Sequence, residues 1–171
     1  MKKLLMLCCL FSFLFVQNIA SQTLGNLFVE PNGVFSISMP NGWQMVDINM
    51  AYMMIMGPEY NGFTPNINFA DEDYSGAISD YLDAVMGFFP LLFSDFRLLG
   101  RSVFQTNTGL TGECITYLVT MGQIQVRQKM YVFPNSKRTA VMVITGTAPV
   151  VSGETYDVVF DTSVSTFKWV N

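Results

Sequence analysis

The sequence predicts an α+β protein, an antiparallel β-sheet of about six to seven strands flanked by helices. Short segments with alternating apolar and polar residues are separated by Gly, Asn and Pro, which is typical of strands joined by hairpins. Two longer segments have apolar residues three and four positions apart, which is typical of amphipathic helices. Because the strands group before and between the helices, an antiparallel sheet is favoured over a parallel one.

The first strands are predicted at 26–30, 34–39, 43–46, 52–56 and 66–70. In the second, Phe, Ile and Met alternate with Ser, which is the pattern of a half-buried strand. A Pro-Asn-Gly turn follows it, so we expect the second and third strands to form a hairpin. The fourth is a continuous apolar run, which favours a strand covered on both faces.

The first helix is predicted between Ser75 and Phe93, where the apolar period becomes helical. We expect Asp71, Asp73 or Ser75 to cap it, because a side-chain oxygen there can accept hydrogen bonds from the free N–H groups of the first turn. Pro90 lacks a backbone donor and clashes with the preceding turn. The regular helix is therefore expected to end or kink near Phe88.

Four further strands are predicted at 96–106, 112–121, 124–133 and 139–147, which together indicate an antiparallel meander. The chain closes with a second helical pattern from Ser152 to Trp169. Ser152 is a good residue for the start of that helix, because its hydroxyl can accept a hydrogen bond from the first turn.

The first 21 residues are predicted to be a secretory signal peptide. Lys2 and Lys3 form a basic start, 4–16 is an apolar run, and 17–21 is a polar exit with small residues. The apolar run has 13 residues, shorter than the roughly 20 of a membrane-spanning helix. We therefore expect an exported protein, periplasmic or extracellular, with one mature domain at 22–171 and no transmembrane span.

The mature chain is acidic and has one cysteine. Seven Lys and Arg stand against 13 Asp and Glu after residue 21, a net charge of −6, and no basic cluster is present. Nucleic acid is therefore not an expected partner, because its binding relies on neutralising several phosphates. Cys8 and Cys9 belong to the signal, so Cys114 has no intrachain partner. We expect a buried, unreactive thiol there.

The residue types absent from the chain exclude most familiar catalytic sites. There is no His, which excludes Ser-His-Asp and Cys-His catalysis and His-containing zinc sites. No phosphate-binding loop or dinucleotide fingerprint is present. We expect a protein that is not an enzyme and needs no cofactor. A glycosidase that uses carboxylates alone is the weakest alternative, because the sequence justifies no suitable pair of acids.

Two groups of charged residues are candidate binding sites. Asp71 and Asp73 would share a side of a strand and offer oxygens to Ca²⁺, but Ca²⁺ takes about six to eight oxygens, so a solvated strand end is favoured. Arg127 and Lys129 would share a face of a later strand, with Arg101 and the turn residues Lys137 and Arg138 as further basic residues. A solvated sheet surface is favoured there over a positive binding face.

The run from Phe88 to Phe93 is the candidate interaction surface. Six consecutive residues, all apolar but for Pro90, cannot all face the core from one amphipathic helix, so some are expected to form an exposed apolar patch. A loop buried against the sheet is the alternative. Trp43 follows a tight turn and is a second candidate, although a place in the core is favoured for it. The predicted contact residues are Phe88, Phe89, Leu91, Leu92, Phe93 and Trp43.

Several segments resemble the PsbP/DcrB-like family. They are the strand and turn at 35–43, the middle helix around Tyr81, the hairpin meander and the closing segment at 160–167. The resemblance spans most of 27–169. It implies the α/β/α sandwich shared by the photosystem II protein PsbP and the Ran-binding Mog proteins, and a non-enzymatic accessory or binding role. No functional residue transfers with it.

Two functions are therefore expected. The first is an exported accessory domain that binds another envelope or secreted protein through an exposed apolar patch. The alternative is a carrier of a small apolar ligand, held in a pocket between the sheet and the middle helix. A closed pocket would favour the carrier, and an open apolar patch would favour protein binding.

Overall fold

The computed structural model describes residues 23–46, 53–135 and 139–170, in which ten strands form two sheets beside two α-helices. The predicted signal peptide lies outside the described residues. The strands are β1 (Leu24–Val29), β2 (Phe35–Pro40), β3 (Gln44–Val46), β4 (Met54–Met56), β5 (Asn66–Asp73), β6 (Arg97–Gln105), β7 (Thr111–Met121), β8 (Ile124–Asn135), β9 (Ala140–Pro149) and β10 (Lys168–Trp169). The helices are α1 (Ile78–Leu92) and α2 (Gly153–Val164), with a 3-10 turn at Val150–Ser152.

The larger sheet has seven strands in the order β3-β4-β5-β9-β8-β7-β6, and every pair in it is antiparallel. The predicted meander forms β6 to β9. The return of β9 to pair with β5 joins the early strands to the later ones. The predicted α+β class is confirmed.

The hairpin expected between the second and third strands is wrong. β2 pairs with β1 and β10 in a separate three-stranded sheet, whereas β3 pairs with β4 at the edge of the larger sheet. The turn between them is closed by the Trp43 N–H, which donates to the Pro40 carbonyl over 3.1 Å, and Gly42 has a φ of 80°. The chain changes sheets at this turn, yet residues of β2 and of β3 pack against the same apolar cluster. β4 is also less covered than expected, since Ile55 is buried and its neighbours Met54 and Met56 are half-exposed.

The first helix begins and ends later than expected. Its N-cap is Ala77, which has no side-chain cap, and Asp71 and Asp73 lie instead in β5. The helix continues through Pro90, so the predicted end near Phe88 is wrong. Pro90 falls in the last turn, where one lost backbone hydrogen bond is a small cost beside the aromatic packing of that turn.

The second helix ends at Val164 rather than Trp169, and the last strand follows it. Ser163 Oγ donates to the Ser38 carbonyl over 2.7 Å, and the Ser38 N–H donates to Thr166 Oγ1 over 2.8 Å. These two bonds fasten the end of α2 to β2. The chain then pairs Lys168 and Trp169 with β2, so β10 forms an edge strand of the small sheet.

Each face of the seven-stranded sheet has its own apolar core. On one face α1 covers a cluster that includes Leu82, Ile115, Tyr117, Val126 and Val143. On the other face, α2 and the small sheet cover a cluster that includes Phe35, Phe69, Phe133, Phe160 and Phe167. The predicted sandwich of helix, sheet and helix is therefore present, with a small sheet added to one outer layer.

Gly146→Ala is expected to lower the free energy of unfolding by about 1–3 kcal/mol, because the added Cβ would lie 2.5 Å from the Phe160 ring. Gly87→Ala is the matched control. Nothing lies within 4 Å of a Cβ at that helical position, so we expect a gain of up to about 1 kcal/mol. Urea unfolding followed by circular dichroism measures both. Equal shifts in the two variants would contradict this account of the core.

Candidate functional site

The apolar run at the end of α1 is divided between the surface and the core. The exposed fractions are 53% for Phe88, 79% for Leu91 and 57% for Leu92. These three side chains lie on the outer side of the helix and belong to the run in which the sequence predicted an exposed apolar patch. They are large and apolar, and such residues exposed side by side are characteristic of contact surfaces.

The remaining residues of the run hold the helix to the sheet. The ring centroid of Phe89 lies 5.2 Å from that of Tyr117, 5.9 Å from that of Phe93 and 5.7 Å from that of Phe96. Tilted and edge-on ring pairs at these distances stabilise beyond the area they bury. Phe89 and Phe93, both named from the sequence as contact residues, therefore serve as anchors of α1.

Trp43, the other predicted contact residue, is buried rather than presented to solvent. Its ring centroid lies 6.2 Å from that of Tyr156 and 6.3 Å from that of Phe160. A Cβ at Gly57 would meet the indole at 2.7 Å, so the ring lies directly on the backbone of that glycine. Trp43 closes the core, which is the interpretation that the sequence favoured.

Three apolar residues of the sheet, which were not among the predicted contact residues, are also exposed on the face that α1 covers. They are Leu98 on β6, 42% exposed, and the pair Met121 and Ile124 beside the β7–β8 turn, 50% and 41% exposed. Leu98 pairs with Tyr117, and Met121 continues the side of β7 that faces α1. Apolar residues that flank Gly122 in a predicted turn were the available signal. We call Phe88, Leu91, Leu92, Leu98, Met121 and Ile124 the apolar surface.

Asp95 fixes the end of α1 over the β7–β8 turn. Its Oδ1 accepts from the Thr120 N–H over 3.1 Å, and its Oδ2 accepts from Thr120 Oγ1 over 2.5 Å. These hydrogen bonds to Thr120 lower the pKa of the Asp95 carboxyl. The bonds tie the segment that follows α1 to the end of β7.

The charged residues Arg127 and Lys129 do share one face of β8, but they are bound to α2. Arg127 Nε and Nη2 donate to Asp157 Oδ2 over 3.0 and 2.6 Å, and Lys129 Nζ donates to Asp161 Oδ2 over 2.8 Å. The solvated sheet surface expected for them is wrong, because α2 covers this face. The ion pairs also leave little of a free positive face.

Arg101 lies on the other face of the sheet and connects it to α1. It forms ion pairs with Asp83 at 2.5 Å and with Glu113 at 2.8 Å, and Nη2 donates to the Ser79 carbonyl over 3.2 Å. Arg101 therefore belongs to the attachment of α1. Lys137 and Arg138, the basic residues of the following turn, lie outside the described residues.

Two further candidate groups predicted from the sequence are the thiol of Cys114 and the carboxylates of Asp71 and Asp73. Cys114 is buried in the core, with Sγ 3.3 Å from Ser102 Oγ, and burial raises the pKa of its thiol. Asp71 and Asp73 share a side of β5. No group of three or more metal-ligating side chains occurs in the described part of the chain.

Side chains pack against one another between α1 and the sheet. Phe89, Phe93, Phe96 and Tyr117 contact one another there, and Leu82 is fully buried beside them. The pocket expected for a carried apolar ligand would occupy this space. No helix in the described residues has the length and apolar character needed to cross a bilayer.

In this chain α1 covers one side of the larger antiparallel sheet, and α2 and the smaller sheet cover the other side. This arrangement is the PsbP/Mog-like α+β sandwich fold. No protein-family model and no curated protein matches the sequence. The predicted resemblance to PsbP and Mog proteins is confirmed at the level of the fold.

Three solved structures illustrate the similarity. Cyanobacterial PsbP (CyanoP) from Synechocystis has a TM-score of 0.60 at 15% identity, covering 84% of this chain and 91% of its own. LpqN of Mycobacterium tuberculosis, involved in cell envelope biogenesis, has a TM-score of 0.56 at 15% identity, covering 85% and 90%. The Saccharomyces cerevisiae Ran-binding protein Mog1p has a TM-score of 0.58 at 10% identity, covering 87% and 97%. At these identities the fold alone is shared.

Asp95→Ala is expected to lower the melting temperature at pH 7, because the variant loses both bonds to Thr120. A carboxyl whose pKa is lowered on folding stabilises above its unfolded pKa of about 3.9 and ceases to do so as the pH falls through the folded value. The difference from wild type should therefore shrink as the pH falls below about 4. Thermal unfolding between neutral and acidic pH measures it.

Glu59→Ala is the control for this experiment, since Glu59 is exposed and its carboxylate forms no hydrogen bond with the described residues. It removes one negative charge without removing a bond. If Asp95→Ala and Glu59→Ala changed the melting temperature alike at every pH, the bonds to Thr120 would not fix the end of α1.

Proposed function

We propose that this chain is an exported, non-enzymatic domain that binds another envelope or secreted protein through the apolar surface. The observation that carries the proposal is the exposure of six apolar residues from α1, β6 and the β7–β8 turn on the α1 side of the seven-stranded sheet. Monomeric soluble proteins avoid exposing large contiguous apolar patches, and those they do expose commonly mark interaction sites.

The charges of the protein favour a protein partner over a lipid surface. Helices that lie on membranes carry Lys and Arg along the polar face, which attract anionic lipid. The last turn of α1 has no basic residue, and its first turn carries Asp80. The mature chain is also acidic, with a net charge of −6 after residue 21. An anionic bilayer would repel this protein.

The structural neighbours support a binding role in general terms. Mog1p is a Ran-binding protein, and LpqN is involved in cell envelope biogenesis. Neither shares enough sequence with this chain to transfer a partner, so the partner is proposed from the surface alone. The packing of side chains under α1 gives the carrier hypothesis no support.

The surface is tested with the double variant Phe88→Asp, Leu91→Asp, used as bait against envelope and medium proteins of the source cells. A carboxylate in the centre of a contact leaves a charge buried without a partner, so loss of each hot spot should cost about 2 kcal/mol or more. We expect at least one protein to be retained by wild type and lost by the variant.

The matched control is Val158→Asp, which places the same charge on an apolar residue of α2 that is 57% exposed on the other side of the sheet. It should retain the same protein as wild type. Circular dichroism and melting temperature establish that each variant is folded. The proposal fails if all three proteins retain the same set.

Export is tested by the mass of the protein recovered from secreting cells. Removal of the basic and apolar segment that the sequence identifies as a signal would leave a chain that begins at Ser21 or Gln22. We expect that mass in the periplasmic or culture fraction. A full-length chain found in the membrane fraction would contradict a cleaved signal.

A further inference from the structure

A cleft of about 490 Å³ opens on the α2 face of the sheet, between the edge strand β6 and the start of α2. Its lining residues are Arg97, Leu99, Leu118, Arg127, Val150, Val151, Ser152, Glu154 and Thr155. Arg97 pairs with Leu118 and lies on this face, whereas Leu98 lies on the opposite face, with the apolar surface. We infer that this cleft binds a small monocarboxylate with an apolar chain, at a site separate from the proposed protein contact.

Arg127 is held in place before any ligand binds. Asp157 accepts hydrogen bonds from the Nε and Nη2 of Arg127, and the aliphatic stem of Arg127 lies against Gly153, where an added Cβ would meet Arg127 Cδ. Glycine is required there because any side chain would displace the arginine. No described residue accepts a hydrogen bond from its Nη1, so one edge of a fixed guanidinium remains available.

Arg97 supplies the charge that Arg127 lacks. Asp157 neutralises Arg127, whereas Arg97 is exposed at the edge of β6 and forms no ion pair with any described residue. A guanidinium presents paired donors that match the two oxygens of a carboxylate. Arg97 is therefore the group that would bind the carboxylate, with Arg127 Nη1 as a second donor.

The remaining lining selects the rest of the ligand. Leu99, Leu118, Val150 and Val151 form an apolar wall beside the two arginines. Glu154 also lines the cleft, and its negative charge opposes a doubly charged anion such as phosphate more than a monoanion. The volume lies within the range of about 300–1,000 Å³ typical of small-molecule sites. A carboxylate with a short alkyl chain fits both parts.

The test is calorimetric titration of the protein recovered from secreting cells with acetate, hexanoate, 1-hexanol, hexylamine and inorganic phosphate. We expect hexanoate to bind at least about tenfold more tightly than the alcohol or the amine, which lack the charge that pairs with Arg97. Acetate should bind more weakly than hexanoate because it lacks the apolar chain. Phosphate should bind more weakly than hexanoate.

Arg97→Gln should lower the affinity for hexanoate about tenfold, and Arg97→Lys should retain part of it. Lys168→Gln is the matched control, since Lys168 is an exposed cation on the separate small sheet, and it should bind as wild type does. Leu99→Ser should lower the affinity for hexanoate while leaving the affinity for acetate unchanged. Melting temperatures show that each variant is folded.

Three results would overturn the inference: no heat with any carboxylate, equal hexanoate affinity in Arg97→Gln and wild type, or tighter binding of phosphate than of hexanoate. The double variant Phe88→Asp, Leu91→Asp should bind hexanoate as wild type does, because its changes lie on the opposite face. A failure of the cleft is thereby distinguishable from a failure of the proposed protein contact.

Discussion

The requirement to cover both faces of the central strand organises this protein. Every residue of β9 is buried, and its side chains alternate between the two faces of the seven-stranded sheet. One face is covered by α1, and the other by α2 with the small sheet. The 15 residues of α1 cover only part of the apolar surface on their face of the seven-stranded sheet. Apolar residues of β6 and of the β7–β8 turn therefore remain in contact with solvent. The apolar surface therefore follows from how the core is closed.

The two attachments of the helices differ in chemistry, and this difference places the two candidate sites. Aromatic rings around Phe89 hold the end of α1 to the sheet. The residues of this turn that face solvent are apolar as well. Ion pairs from Arg127 and Lys129 of β8 hold α2. At the start of α2, one edge of the Arg127 guanidinium therefore lies beside apolar residues. Protein contact suits the first surface and a small carboxylate suits the second. Neither site uses the thiol of Cys114, which is buried and whose pKa is raised by that burial.

A shared fold at 10–15% identity does not decide which partner a member binds. The surfaces do, because partners are selected by exposed residues and these differ freely while the core pattern is kept. In this chain the distinguishing features are the apolar surface, with no basic residue in the last turn of α1, and an arginine at the edge of β6 that is without an ion pair among the described residues. Both are properties of side chains on a common framework.

The sequence alone determined the class of fold, the meander, the existence of both helices and the exposure of part of the Phe88–Phe93 run, since alternation and helical spacing are local properties of the chain. Only the tertiary structure decided that β2 and β3 belong to different sheets and that α2 ends at Val164, before β10. It also decided which residues of the Phe88–Phe93 run face outward, and that Leu98, Met121 and Ile124 are exposed on the same side of the sheet. These outcomes depend on contacts between residues distant in sequence, such as Ser38 with Ser163, and no local pattern encodes them. The burial of a side chain is set by the elements that pack over it, and its own sequence neighbours do not specify them.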